Sequence, residues 1–425
     1  MERAVARRPE ILAPAGDRER LEAALRYGAD AVYFSGRRYG MRAGAGNFDA
    51  DGIREAVRLA HQAGARAYVA CNTLPRVDET AALPAYLELL DDAGTDALIV
   101  ADLGVMALAK RYAPRCALHV STQLGVTNQE TARVLYEMGA ARVVLARELS
   151  LDEVAALRER APAELELECF VHGAMCLSVS GRCVLSNYLA GRDANRGECA
   201  QPCRWKYHLM ESKRPGEYYE IGEQDGGAYI LNANDLCMLP HVAALAQAGV
   251  ASFKIEGRAK AAYYTAVITN AYRTAAEGYA ASGFRPDYRP SPWILAEADK
   301  VSHRPYGTGF YFGAPSQDTA QGGYVQTWEA AAVVEGFRDG MLTVTQRNRF
   351  ERGETLEALE PGGRPPFSLL VNALYDEQGE PLAAAPHPMQ RLRIPAARPL
   401  APGSILRRRK TAGAAADCLP YRIDG

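Results

Sequence analysis

Cys176, Cys183, Cys199 and Cys203 stand at C-x6-C-x15-C-x3-C spacing within the stretch ECFVHGAMCLSVSGRCVLSNYLAGRDANRGECAQPCRWKY, residues 168–207. Between them Arg192, Asp193, Asn195, Arg196 and Gly197 form a polar run that cannot bury enough apolar surface to hold itself. Free cysteines usually pack as small hydrophobes, which a polar loop suits poorly. The opening residues MERAVARRPE carry no secretory signal, so a reducing, cytoplasmic setting is expected and disulfides are not. Thiolates gathered on a metal would fix such a loop. Structural zinc sites pair knuckles with two to four intervening residues, which the x6 and x15 gaps fit poorly. Soft thiolates at irregular spacing suit an iron–sulfur cluster better, with zinc as the alternative.

A second group of residues carries charge where a ligand would want it. Lys254, Glu256 and Arg258 in FKIEGRAK alternate, so on an extended segment they project to one side. That is a clamp for carboxylate or phosphate, or else a structural ion-pair network. His172 opens HGAMC, as a proton donor or as a residue that orients the loop. A thiol peptidase would need His172 to activate Cys176. That conflicts with Cys176 as one of four metal ligands, and no G-x-S-x-G or H-E-x-x-H is present. His172, Lys254 and Glu256 are thus the candidate catalytic residues.

The elements that must position these groups follow from pattern. Eight short apolar runs are expected to be strands buried on both faces: Ile11–Ala13, Ala31–Phe34, Ala67–Cys71, Ala97–Ala101, Ala117–Val120, Arg142–Ala146, Leu165–Phe170 and Ser252–Ile255. Amphipathic segments such as Asp17–Tyr27, Asp49–Ala63, Glu130–Met138 and Leu151–Arg158 alternate with them. Gly28, Gly64, Gly94 and Gly139 stand where helices should end. The fold class is α/β: a (β/α)8 TIM-like barrel over residues 1–284, with a cysteine-rich insertion at about 171–251. An open doubly wound sheet is the alternative. Residues 285–319 read as a linker, 320–411 as a small C-terminal β-barrel, and 412–425 as a tail. Barrel sites lie at the C-terminal ends of strands. Asn72, Gln123 and Arg147 fall there, and Asn72 and Gln123 would orient a small polar ligand.

The cysteine stretch and KIEGR (254–258) resemble the two signature motifs of the collagenase-like peptidase family, family U type thirty-two. The similarity runs over nearly the whole chain and is strongest to the tRNA-hydroxylating members. NRFERGETLEALEP resembles their C-terminal module. The resemblance implies an enzyme that makes 5-hydroxyuridine at the wobble position of tRNA. It also implies a [4Fe-4S] cluster on Cys176, Cys183, Cys199 and Cys203, with Cys169 or Cys237 as substitute ligands. It implies prephenate as co-substrate, whose carboxylates Arg147 and Arg258 would grip, and a second family member as a partner.

Composition limits the other classes. The chain has 425 residues, 48% hydrophobic and 24% charged, enough for a sizeable core. Its formal net charge of −2 is not that of a general nucleic-acid binder, so RNA contacts must come from local patches, and no DNA partner is expected. No apolar run reaches the length of a membrane span. Arg37, Arg38 and Arg42 form one basic cluster, and Arg192, Arg196, Arg204 and Lys206 a second. Arg407, Arg408, Arg409 and Lys410 form a third. Arg192, Arg196 and the third cluster are the candidate phosphate contacts, and Tyr39 and Tyr188 candidate base-stacking residues. Peptidase action and non-catalytic RNA binding remain the competing functions.

Overall fold

The computed structural model describes residues 7–41, 46–176, 183, 185–194, 197–205, 208–209, 219–220, 233–315 and 324–410. Strands and helices alternate as β1 (Glu10–Pro14), α1 (Arg18–Arg26), β2 (Ala31–Phe34), α2 (Ala50–Gln62), β3 (Arg66–Cys71), α3 (Leu83–Asp92) and β4 (Ala97–Val100). They continue through α4 (Leu103–Tyr112), β5 (Ala117–Val120), α5 (Gln129–Glu137), β6 (Ala140–Val144), α6 (Leu151–Arg160) and β7 (Glu166–Ala174). The insertion contributes α7 (Leu185–Ala190), the paired strands β8 (His208–Leu209) and β9 (Tyr219–Glu220), β10 (Asp235–Cys237) and α8 (Val242–Gln247). The eighth barrel strand is β11 (Ser252–Ile255), followed by the long helix α9 (Ala262–Ala281).

β11 pairs in parallel with both β1 and β7, so the sheet closes into an eight-stranded barrel rather than an open doubly wound sheet. Local chemistry supports the alternation. Asp49 caps α2 through Gly52 N, and Ser150 with Glu153 forms a reciprocal capping box on α6. The outward strand faces and the inward helix faces share one large apolar core, with Val69, Leu98, Val143 and Phe253 on strands and Leu21, Ile53, Leu87 and Leu135 on helices.

The interior of the barrel is different. Leu12, Ala31, Tyr33, Tyr68, Ala70, Ala97 and Ile99 form a small separate cluster there. Around it lies a buried ionic string. Arg142 of β6 pairs with Glu10 of β1 at 2.6 Å and with Glu166 and Glu168 of β7 at 2.6 and 3.0 Å. Glu168 in turn pairs with Lys254 of β11 at 2.7 Å. Burial alone would push the Glu168 carboxyl up, yet Lys254 and Arg142 hold it below the ordinary carboxylate range.

Residues 285–319, read as a linker, carry a short helix, α10 (Pro292–Glu297), and a two-residue strand, β12 (Tyr306–Gly307), which pairs with β10. The second unit is a six-stranded antiparallel sheet. Its strands are β13 (Trp328–Arg338), β14 (Met341–Gln346), β15 (Thr355–Leu359), β16 (Phe367–Leu370), β17 (Arg391–Pro395) and β18 (Ile405–Arg409). Their order is β16-β15-β18-β13-β14-β17, a curled half-barrel around Leu342, Val344, Leu356 and Leu406. It docks firmly on the first unit. Tyr27 OH donates to Leu359 O at 3.1 Å and to Gly403 O at 3.0 Å, and Arg407 pairs with Glu297 of α10 at 2.6 Å.

Candidate active site at the barrel mouth

A cavity of about 180 Å³ opens at the C-terminal ends of the strands. A cavity of about 150 Å³ accepts a benzene-sized ring, so this one has room for one ring-sized ligand on its floor. Tyr33, Ile99 and Phe170 give it apolar walls, and Asn72, Gln123, Arg147, Lys254, Glu256 and Arg258 give it polar ones. Cys176, Cys183, Cys199 and Cys203 line the same space. Residues from β3, β5, β6, β7, β11 and the cysteine segment therefore meet in one place.

Each polar group has a visible cause for its position. Asn72 follows β3 and donates from Nδ2 to Gln123 Oε1 at 2.7 Å, while its Oδ1 accepts from Met41 N at 3.2 Å. Gln123 sits in a single helical turn after β5, ended by the left-handed Gly125. Arg147 lies over the Phe170 ring at 3.9 Å and donates from Nη1 to Ala174 O at 3.0 Å. That stacking fixes the plane of the guanidinium, as bidentate carboxylate recognition requires. Lys254 is buried, with its ammonium 4.7 Å from the Tyr33 ring and bonded to Glu168. Glu256 Oε2 lies 3.3 Å from the Tyr33 hydroxyl. Arg258 is buried in the wall, and its backbone passes so close to Gly16 that a Cβ there would stand 2.1 Å from Arg258 O. Gly257 has a φ of +152°, and a Cβ would meet the Tyr264 ring at 2.5 Å. Glycine at these two points lets the strand ends close on the cavity.

His172 is not part of this surface. The register between β7 and β11 shifts where Lys254 faces Phe170 and Ile255 faces His172. The extra residue turns His172 away from the side that Glu168 and Phe170 share. Its ring is buried among Tyr264, Tyr272 and Tyr306. Tyr272 OH lies 3.4 Å from Nδ1 and Tyr306 OH 3.3 Å from Nε2. Both hydroxyls also donate to backbone carbonyls, Val171 O and Ala298 O. Burial, with smaller contributions from the neighbouring His303 and Lys260, pulls the imidazole pKa down to about 3. His172 is a neutral packing residue at physiological pH, not a proton donor to the cavity, and it makes no hydrogen bond to Cys176.

The four cysteines fit a thiolate-ligated group by chemistry. Cys176 is exposed and the other three are half-buried, unlike the buried Cys71, Cys116 and Cys169. Two sulfurs accept backbone N–H groups, Cys183 from Leu185 N at 3.3 Å and Cys199 from Gln201 N at 3.4 Å. Such donors stabilise thiolate charge. Among the described residues no three His, Cys, Asp or Glu side chains converge on a point that a single ion would occupy. Burial raises the Cys169 thiol to about 12 and the Cys237 thiol to about 11, which suits packing better than ligation.

The basic clusters divide. Arg37, Arg38 and Arg192 are exposed near the mouth. Arg407 is fully buried between Glu297 and Glu357, so the phosphate contact expected of it does not form. The three arginines of RRRK end the interior strand β18, and two of them face carboxylates at matched register, Glu357 opposite Arg407 and Glu329 opposite Arg408. Arg408 also pairs with Glu354, leaving Arg409 exposed and Lys410 half-buried. Tyr39 is a brace and not a stacking platform, since its hydroxyl donates to Glu79 O at 2.9 Å and its ring packs on Tyr86. Arg42, Arg196 and Lys206, and the side chains of Tyr188 and Arg204, lie outside the described residues.

Sequence reading missed Arg142, Glu10 and Glu168. The signal was present: Glu166, Glu168 and Phe170 alternate in a strand read as apolar on both faces.

The family model described as peptidase family U32 matches residues 16–321, and that of the peptidase family U32 C-terminal domain matches residues 326–407. The chain is 35% identical over 418 residues to tRNA hydroxylation protein P1 of Bacillus subtilis, covering 96% of each. It is 34% identical over 424 residues to tRNA hydroxylation protein P of Escherichia coli, covering 89% of this chain and 92% of that one. It is 40% identical over 266 residues to the 23S rRNA 5-hydroxycytidine C2501 synthase of Escherichia coli, covering 63% of this chain and 39% of that one.

Proposed function

The chain belongs to peptidase family U32, and from that membership we propose that it is an RNA-modifying enzyme that hydroxylates C5 of the wobble uridine in the tRNA anticodon loop. Relatives named for hydroxylation of tRNA and of ribosomal RNA support RNA hydroxylation as the general activity. The observation that carries the reading is the meeting of four thiols with a polar, cationic set of residues in one ring-sized cavity at the barrel mouth.

Cys176, Cys183, Cys199 and Cys203 would hold a [4Fe-4S] cluster, which when bound supplies one-electron chemistry or a Lewis-acidic iron beside the cavity. Arg147 and Arg258 would grip the carboxylates of a small dicarboxylate co-substrate, for which prephenate is our proposal. Asn72 and Gln123, already bonded to each other, would set the orientation of a polar ring. Lys254 presents a fixed positive charge to oxygen atoms that gain negative charge. Replacing C5–H by C5–OH is a two-electron oxidation, so the co-substrate or an added oxidant must deliver the oxygen and accept two electrons, and Glu256 is the carboxylate that would take the proton leaving C5. A single-stranded loop lets the uridine be splayed into such a cavity at modest cost. The peptidase reading needs a His172–Cys176 pair, which the geometry does not form.

Nucleoside mass spectrometry of tRNA from a host stripped of its own 5-hydroxyuridine pathway, with and without this chain, tests the reaction. Appearance of 5-hydroxyuridine is expected, and its absence with soluble, iron-loaded protein would overturn the reading. Iron and sulfide analysis of anoxically purified protein should find both, with loss in Cys176→Ser; stoichiometric zinc instead would overturn the cluster.

A further inference from the structure

The loop after β3 is built in a way that the chemistry of the cavity does not explain. It begins at Asn72 in the cavity wall and runs Leu74-Pro75-Arg76-Val77 over the rim. Val77 is 91% exposed and Leu74 40% exposed. A free loop with an apolar tip would fold it back, but this one is held in place. Tyr39, from the loop after β2, accepts from Thr73 N at 3.1 Å and donates to Glu79 O at 2.9 Å. Tyr39 itself has a φ of +61°, a left-handed backbone that an aromatic residue adopts only under constraint. Within the loop, Thr80 Oγ1 donates to Val77 O at 2.7 Å and Arg76 N to Glu79 Oε2 at 2.8 Å. On the other side Arg76 pairs with Asp193 of the cysteine segment at 3.6 Å. Three separate segments thus hold an apolar tip outward beside the cavity.

Four arginines stand around this tip. Arg38 and Arg192 are exposed and make no ion pair among the described residues. Among the described residues Arg37 is paired with Asp49 in an exposed contact at 3.3 Å, and the exposed Arg76 with the half-buried Asp193 at 3.6 Å. Exposed pairs of that kind contribute little, so exchange of the carboxylate for a phosphate costs little. The loop's own acids are the exposed Asp78 and the half-buried Glu79, which is held by Arg76 N.

We propose that this edge docks unpaired RNA. Leu74 and Val77 wedge against the bases that flank the one admitted to the cavity, and Arg38, Arg76 and Arg192 take the adjoining phosphates. An apolar wedge that replaces base stacking is how proteins hold a kinked or opened strand. Backbone cations without base contacts give the sequence tolerance that such a dock needs. The assignment rests on the RNA-modifying reading of the cavity and adds where the strand enters and what opens it.

The test uses a hairpin RNA with an unpaired loop and 2-aminopurine next to the loop uridine, added to the full-length protein. Native protein should raise the fluorescence as the base unstacks. Val77→Asp with Leu74→Asp should abolish most of that rise, and Val77→Leu should retain it. Arg38→Glu with Arg192→Glu should weaken binding roughly tenfold and flatten the dependence of log affinity on log salt by about 0.7 for each phosphate no longer neutralised. If the wedge variants unstack the base as well as native protein does, or if native protein binds no hairpin, the proposal falls. Failure of the wedge variants to matter while 5-hydroxyuridine still forms in cells would remove the dock and leave the reaction. Wedge-dependent unstacking without modified nucleoside would keep the dock and remove the reaction.

Discussion

Glu168→Gln changes one charge in the barrel interior and almost nothing in its shape. Arg142 keeps Glu10 and Glu166, both at 2.6 Å, whereas Lys254 loses its carboxylate partner at 2.7 Å while remaining buried. Removing one partner of a buried pair costs about 3–5 kcal/mol, because the other charge is left without compensation. The loss falls almost wholly on Lys254, so the lower end is expected, about 3 kcal/mol. Lys254→Met should cost less, since Glu168 is still held by Arg142. The double variant should then be no less stable than Glu168→Gln alone, a coupling of about 2 kcal/mol or more. Urea unfolding of the four proteins at constant m-value measures this. A single variant within about 1 kcal/mol of native protein, or a double variant that is simply additive, would refute the view that the ionic string positions Lys254.

Two further outcomes follow from buried groups. His172 is held at about 3, and His119 lies well below the ordinary histidine range, each chiefly by burial. Both stay neutral in the folded protein but protonate near pH ~6.5 when it unfolds, so their stabilisation is complete above that pH and falls away as the solution is acidified, for His172 toward about pH 3. By about pH 5 His172 should have cost about 2 kcal/mol and His119 a further loss of the same sign, which urea unfolding at neutral and mildly acidic pH reads, and His172→Asn should reduce the pH dependence. Arg407→Met leaves Glu297 and Glu357 to Lys300 alone, at 3.0 and 2.8 Å. It should lower stability by about 3 kcal/mol with hairpin affinity unchanged, and a loss of RNA affinity without loss of stability would restore the phosphate role.

The barrel was legible because its signal is local. Eight apolar runs separated by amphipathic helices leave few arrangements, and the closing pairs β1–β11 and β7–β11 select the barrel among them. Two failures have one origin. His172 and Arg407 each lie on a strand, and on a strand the neighbour decides which face a side chain meets. A bulge opposite Lys254 turns His172 outward, and pairing with β13 and β15 turns the RRRK run into an interior strand with its own carboxylates.

By itself the sequence determined the residue types: four thiols at fixed spacing, the KIEGR alternation, and the polar strand ends, all of which depend only on local order along the chain. Tertiary structure decided which of those groups share a cavity and which are packed away. It also decided that Lys254 is anchored from β7 through Glu168, and that a loop with an apolar tip stands at the rim. The reason is physical: pairing register, bulges and buried ion pairs are relations between distant segments, and no local pattern carries them.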